Sequence, residues 1–210
     1  GWTNPPCRVS RTNKQINIQL NPALPFQKLI IVLAAMDRET LNIQEILAKV
    51  DTNNLKKHVA QLQGRRNTGN QSFYDQSRTY VFNALNENVP AHELIYNSGQ
   101  YNCKNYEATK HGIEKPGTIV FLDAHYDSFS NAPGADDNAS GVAGVLEAIR
   151  VMGDYVSKKS IRYVLFDLEE AGLVGSTFYV TNQLNARDTI QGVINFEMIG
   201  FYSEQANTQD

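Results

Sequence analysis

The 210-residue sequence predicts an α/β protein, a three-layer α/β/α sandwich on a mixed, largely parallel sheet, and three observations carry that expectation. After Gly117, short β-prone apolar runs alternate with segments of helical periodicity, the order that builds parallel strands with crossover helices. The first of these runs, Thr118-Ile119-Val120-Phe121-Leu122, is continuous rather than alternating, as in a strand covered on both faces. The composition, 41% hydrophobic and 20% charged, is that of a globular chain long enough to bury one core.

Residues 1 to about 25 carry Pro5, Pro6, Pro22 and Pro25 and read as an irregular leading segment. From Gln27 to Leu62 the apolar residues recur mostly at helical spacing, as in Leu41, Ile43, Ile46, Leu47 and Val50, then Leu55, Val59 and Leu62. Residues 64–70 read as a polar loop, and 73–85 as a helix with Tyr80, Val81 and Leu85 on one side. The first strand is expected at 118–122, the second at 161–168 and the third at 192–196. Helices are expected at 140–152, with Val142, Val145, Leu146 and Ile149 inward, and at 175–184.

Composition excludes several function classes. The net charge is −3, and no basic block is interleaved with aromatics, so nucleic acid is not an expected partner. The longest apolar run, which holds Leu29 to Ala35 and ends before Asp37, is too short to span a bilayer, which takes about 20 residues. The chain opens Gly1-Trp2 without a recognisable signal peptide, so a cytosolic and an already processed protein are both compatible with it. Cys7 and Cys103 match no metal motif; either they pair in an exported protein or they are unrelated buried thiols.

The residues at the strand ends are more informative. The first expected strand runs into Asp123-Ala124-His125-Tyr126-Asp127, the second into Asp167-Leu168-Glu169-Glu170, and the third into Glu197. In open α/β sheets ligands bind just outside the carboxyl ends of the strands. The turn Pro133-Gly134-Ala135-Asp136-Asp137-Asn138-Ala139-Ser140-Gly141 adds two adjacent carboxylates before a helix. So many like charges at one edge repel unless a cation sits among them. One imidazole with several carboxylates suits Zn²⁺, Co²⁺ or Mn²⁺.

Each piece also has a plain structural reading. Asp136 or Asp137 alone is most often a helix N-cap. Glu169-Glu170 alone is a solvated strand end or the first turn of a helix, and His125 alone a satisfied core histidine. Glu197 within an apolar run would be a buried carboxylate needing a partner. The combination, delivered by three strands to one edge, favours a metal centre.

In order along the chain, His125-Tyr126-Asp127, then Gly134-Ala135-Asp136-Asp137-Asn138-Ala139-Ser140-Gly141, then Glu169-Glu170, then Asn195-Phe196-Glu197-Met198-Ile199-Gly200 resemble the M28 metallopeptidases. That family includes bacterial leucyl aminopeptidases with two zinc ions in one site. The resemblance implies a zinc-exopeptidase-like fold, with 1–60 as an N-terminal extension and helical segment and 61–210 as the N-terminal part of a catalytic domain. It implies His125, Asp137 and Glu197 on the first zinc, Asp137 bridging to the second, and Glu170 on the second. Asp127 would orient His125, Glu169 would act as general base, and Met198 would line the substrate's side-chain pocket unless it is a core methionine. The implied activity is hydrolysis of the N-terminal residue from peptides with a free N-terminus, in a secreted or periplasmic protein.

Two departures from the family pattern qualify this. Glu197 stands where an Asp is more usual. The family draws a second histidine ligand from a later segment, whereas His58, His92 and His111 all precede the motifs. The expectation is therefore a C-terminally incomplete domain, with one zinc or fewer fully ligated within these residues. Glutaminyl cyclases, relatives with this fold and one zinc, are an alternative, as is a non-catalytic scaffold. The tripeptides Asn70-Gln71-Ser72 and Asn138-Ala139-Ser140 match the glycosylation pattern, but the second lies in the acidic loop, where a glycan would not fit.

Overall fold

The computed structural model describes residues 7–12, 15–20, 43–99 and 101–201. Strands β1 (Cys7–Thr12) and β2 (Gln15–Leu20) pair antiparallel in a hairpin, where the sequence suggested an irregular segment. The signal for it is the alternation of Ile16, Ile18 and Leu20 with Gln15, Asn17 and Gln19, a period of two that the surrounding prolines obscured. The helical periodicity expected over 27–42 lies outside the described residues. Beyond it the pattern divides into α1 (Ile43–Ala48) and α2 (Thr52–Leu62), because Asp51 caps α2 by accepting a bond from Asn53 N. Helix α3 (Gln71–Asn86) matches the expected 73–85 with an added turn.

Strands β3 (Ala91–Ser98) and β4 (Tyr101–Lys110) come next, then β5 (Lys115–His125), α4 (Ala139–Met152), β6 (Lys159–Phe166), α5 (Val174–Phe178) with a single π-turn at Tyr179–Gln183, and β7 (Thr189–Asn195). The sheet order is β3-β4-β6-β5-β7. Strand β5 pairs parallel with β6 and with β7, as expected, while β3–β4 and β4–β6 are antiparallel. The β3–β4 hairpin is not anticipated by the sequence pattern.

Alternation along β5 explains the three layers. Val120, Leu122 and Ala124 pack into one cluster with α1 to α4, while Ile119 and Phe121 face the other side with Val164 and Tyr179. Both faces of the strand are therefore dry, which is why it reads as a continuous apolar run. Ile46, Leu47, Val50 and Leu55 share the larger cluster with the sheet. Cys103 is a buried free thiol; the Cys7 side chain, whose pairing the sequence left open, lies outside the described residues. No described helix is long and apolar enough to cross a membrane.

Candidate metal centre

The carboxyl ends of β5, β6 and β7 meet at one edge, and the acidic loop before α4 folds over it. His125 is the last residue of β5 and only 3% exposed. Its Nε2 lies 3.1 Å from Asp137 Oδ1, 3.6 Å from Glu197 Oε2 and 3.9 Å from Glu169 Oε2. Among the described residues, His125, Asp137 and Glu197 form the one group of three donors close enough to share a metal ion. His58 instead bonds Tyr80 OH through Nδ1, and neither His92 nor His111 joins the group.

Asp127 organises both sides of this arrangement. Its buried carboxylate accepts from His125 Nδ1 at 3.2 Å, the contact that fixes which ring nitrogen is left to bind a metal. The same carboxylate accepts from Glu169 N at 3.0 Å and Glu170 N at 3.2 Å. The two glutamates therefore sit on a turn after β6, not on the strand, so strand alternation does not set their directions. Leu168, just before them, has φ 53° in the left-handed region, a conformation that a non-glycine residue holds only when its surroundings impose it. Met198, just after Glu197, has φ 44°.

The structural readings of the single residues are corrected here. The N-cap of α4 is Asn138, not Asp136 or Asp137, with its Oδ1 accepting from Gly141 N. Asp136 instead accepts from Ser140 Oγ and Gly200 N, leaving Asp137 to face His125. Glu197 is not buried; its side chain is 46% exposed and held by Asn138 Nδ2 at 3.0 Å. Met198 is 53% exposed and so is no core methionine. Glu170 lies outside the three-donor group, yet its Oε1 is buried without a hydrogen-bond partner.

Asn138 is the residue that sequence reasoning missed at the site itself. Its amide donates to Phe196 O at 2.8 Å as well as to Glu197, stapling the end of β7 to α4. This also leaves no room for a glycan on that side chain. Gly141 permits the approach, because a Cβ there would lie 2.3 Å from Phe196 O. The signal available in sequence was Asn138 three residues before Gly141 at a helix start, which capping preference marks directly.

The electrostatics fit a cation. Burial alone would strip His125 of its proton, but its bonds to Asp127 and Glu197 outweigh that and push its pKa up to about 10. Burial raises the pKa of Glu169, offset in part by His125 and reinforced by Asp127, Glu197 and Asp137. Burial and the neighbouring Asp137 raise that of Glu170 as well. One imidazole nitrogen, converging carboxylate oxygens and an orphaned Glu170 oxygen make a donor set that suits zinc, and the residues present fit that ion.

Comparison with known proteins gives a consistent picture. Residues 105–210 match the model of peptidase family M28. An aminopeptidase of Bacillus subtilis, YwaD, is 41% identical over 103 residues, which is 46% of this chain and 22% of the relative. The curated relatives it matches are much longer, and the chain spans from 16% to 27% of their length. A Zn-dependent exopeptidase from Parabacteroides distasonis shares the fold with TM-score 0.62 at 20% identity, over 73% of this chain and 63% of that one. A glutaminyl cyclase from Bacteroides thetaiotaomicron shares it with TM-score 0.60 at 20% identity, over 72% and 63%.

Proposed function

Because the chain belongs to peptidase family M28, we propose that it forms the metal-binding part of a zinc aminopeptidase that hydrolyses the N-terminal residue from peptides. The observation that carries this reading is the convergence of Asp137, Glu197 and Glu169 on one nitrogen of a buried histidine whose other nitrogen is tied to Asp127. His125, Asp137 and Glu197 would hold the first zinc, and Asp137 with Glu170 would contribute to a second. Zinc, when bound, supplies a Lewis acid that lowers the pKa of a water and polarises the scissile carbonyl.

The protein's own residues do the rest. Glu169, partly exposed and beside the donor group, takes a proton from the attacking water and returns it to the leaving amine. General acid–base help of this kind contributes about 10²- to 10⁴-fold. Its raised pKa keeps it a competent proton carrier nearer neutrality than an ordinary carboxylate. Asp127 fixes the base as well as the histidine, because the amides of Glu169 and Glu170 hang from it. The acidic rim would hold the substrate's free α-amino group, and half-exposed Met198 would line the pocket for the side chain beside it.

The test is a zinc count after dialysis at neutral pH, on the chain and on Asp137→Ala. One equivalent that Asp137→Ala loses supports the metal centre; no bound zinc in the parent chain overturns it. On the longer protein, release of a free amino acid identifies the aminopeptidase. Formation of pyroglutamate from N-terminal glutamine would assign the site to a cyclase instead.

A further inference from the structure

Arg66 precedes the stretch that matches the family model, and its side chain is fully buried. A guanidinium carries five N–H donors in a rigid fork. Here all its hydrogen-bond partners are main-chain carbonyls. Nε donates to Tyr126 O at 2.7 Å and Nη2 to Gly134 O at 2.8 Å. Nη1 donates to Leu62 O, to Gly64 O at 3.2 Å and to Pro133 O at 3.4 Å. The backbone closes the same knot: Arg66 N donates to Ser128 Oγ, Ser128 N to Arg66 O, and Gly64 N to Pro133 O.

These acceptors bracket the donor group. Tyr126 lies between His125 and Asp127, and Gly134 opens the run to Asp137. Gly134 has φ +59°, and a Cβ there would lie 2.6 Å from Arg66 Nη2. Only glycine allows both that backbone and that approach.

A buried cation with no carboxylate bonded to it is costly to keep. Burial pushes the Arg66 pKa down to about 10, while Asp127, Asp137 and Glu170 pull the other way. By charge alone, a fixed cation beside a metal site opposes the metal. Its benefit must then lie in geometry.

We propose that Arg66 is a positioning residue for the metal centre, setting the separation of the β5 end that carries His125 from the loop that carries Asp137 by clamping Tyr126 O and Gly134 O. The proposal rests on the reading that His125, Asp137 and Glu197 hold zinc. Lysine cannot replace the fork, because a single ammonium lacks its planar spread of donors.

Arg66→Lys and Arg66→Gln test this by two readouts on the chain. Zinc affinity is measured by competition with a chelating dye, and amide exchange is followed at Gly64, Ser128 and Ala139, with Leu122 and Tyr163 as core references. Both variants should weaken zinc about 10- to 100-fold, the usual cost of losing a group that orients ligands. The three loop amides should exchange faster while the core amides stay protected. Tighter zinc in Arg66→Gln with no change in Arg66→Lys would mean that only charge matters, and would overturn the proposal. So would unchanged loop exchange, or core amides deprotected along with the loop in both variants. If the parent chain takes up no zinc, the zinc reading fails, and the exchange comparison still decides whether Arg66 sets the loop.

Discussion

The central parallel pair β5–β6 and the antiparallel hairpin β3–β4 serve the same site by opposite means. Strand β5 is buried continuously from Ile119 to His125, and it brings the His125 side chain to the site at its end. The hairpin is half exposed and acts largely through its backbone and amides. Lys104 N donates to Asp167 Oδ2 at 2.9 Å, and Asn105 Oδ1 accepts from Asp167 N at 3.0 Å. Asp167 is fully buried and sits two residues before Glu169. The hairpin thus fixes the root of the turn that presents Glu169, and does so without any exposed chemical signature.

The seam between these two regions is where substitution should cost most. Besides the hairpin's amides, Asp167 accepts from Arg78 Nη2 at 2.9 Å and from Tyr74 OH, both on α3. The Asp167 side chain is fully buried and that of Arg78 is 11% exposed. Asp167→Ala removes the buried carboxylate of this pair and leaves the guanidinium only the exposed Asp75 at 3.3 Å as a counter-charge, and breaking a buried pair in this way costs about 3–5 kcal/mol. Urea unfolding at neutral pH measures it. A loss below about 1 kcal/mol would mean that the hairpin is not energetically joined to the parallel half.

Within each half the contrast becomes one of burial. Leu122 is fully buried on β5, so Leu122→Ala should cost about 2–5 kcal/mol from lost transfer energy and the cavity left behind. Ile95 on β3 is 56% exposed, and Ile95→Ala should stay within about 0.5 kcal/mol. Equal losses in the two variants would show that the hairpin packs as tightly as the central strands, contrary to its exposure.

The same contrast explains what the sequence made legible. Strand β5, dry on both faces, appears as an uninterrupted apolar run, and β6 and β7 carry shorter apolar runs, so these three strands and the residues at their ends were readable. His125, Asp137 and Glu197 were legible as a group because each sits just past a strand or at a glycine-flanked turn. The hairpin was not, because Tyr101-Asn102-Cys103-Lys104-Asn105 mixes polar and apolar residues and pairs with the half-exposed β3, the pairing to β6 beginning only at Tyr106. The supporting residues were hidden for a related reason. Arg66, Arg78 and Asp167 are charged residues that bury their charge against partners roughly 60 to 90 positions away, and no local pattern reports that.

Asp127 offers a sharper test of how the site divides between ligands and support. Asp127→Asn keeps the shape but turns one acceptor oxygen into an amide donor. It can no longer serve His125 Nδ1, Glu169 N and Glu170 N together. Zinc affinity should fall about 10- to 100-fold, with a smaller change in the urea midpoint than Asp167→Ala gives. The reverse order would place Asp127 with the structural network of the seam rather than with the site.

The smallest effect is a proton count, and it separates the site from the frame that carries it. With no metal bound, His125 holds its proton up to about 10, because Asp127 and Glu197 outweigh the penalty of burial. Zinc binding needs the neutral imidazole, so uptake at pH 8 should release about one proton, read by calorimetry in buffers of different ionisation enthalpy. Apparent affinity should then rise about tenfold per pH unit, about 1.4 kcal/mol, between neutrality and the upper pKa. The stability of the metal-free chain should move the other way. A histidine whose folded pKa lies above its unfolded value stabilises fully below that unfolded value, near 6.5, and the contribution is lost as pH rises toward 10. Opposite slopes for zinc affinity and metal-free stability would place this titration at His125. No proton release would mean that the nitrogen facing Asp137 and Glu197 is already bare, and that the carboxylates are not holding its charge.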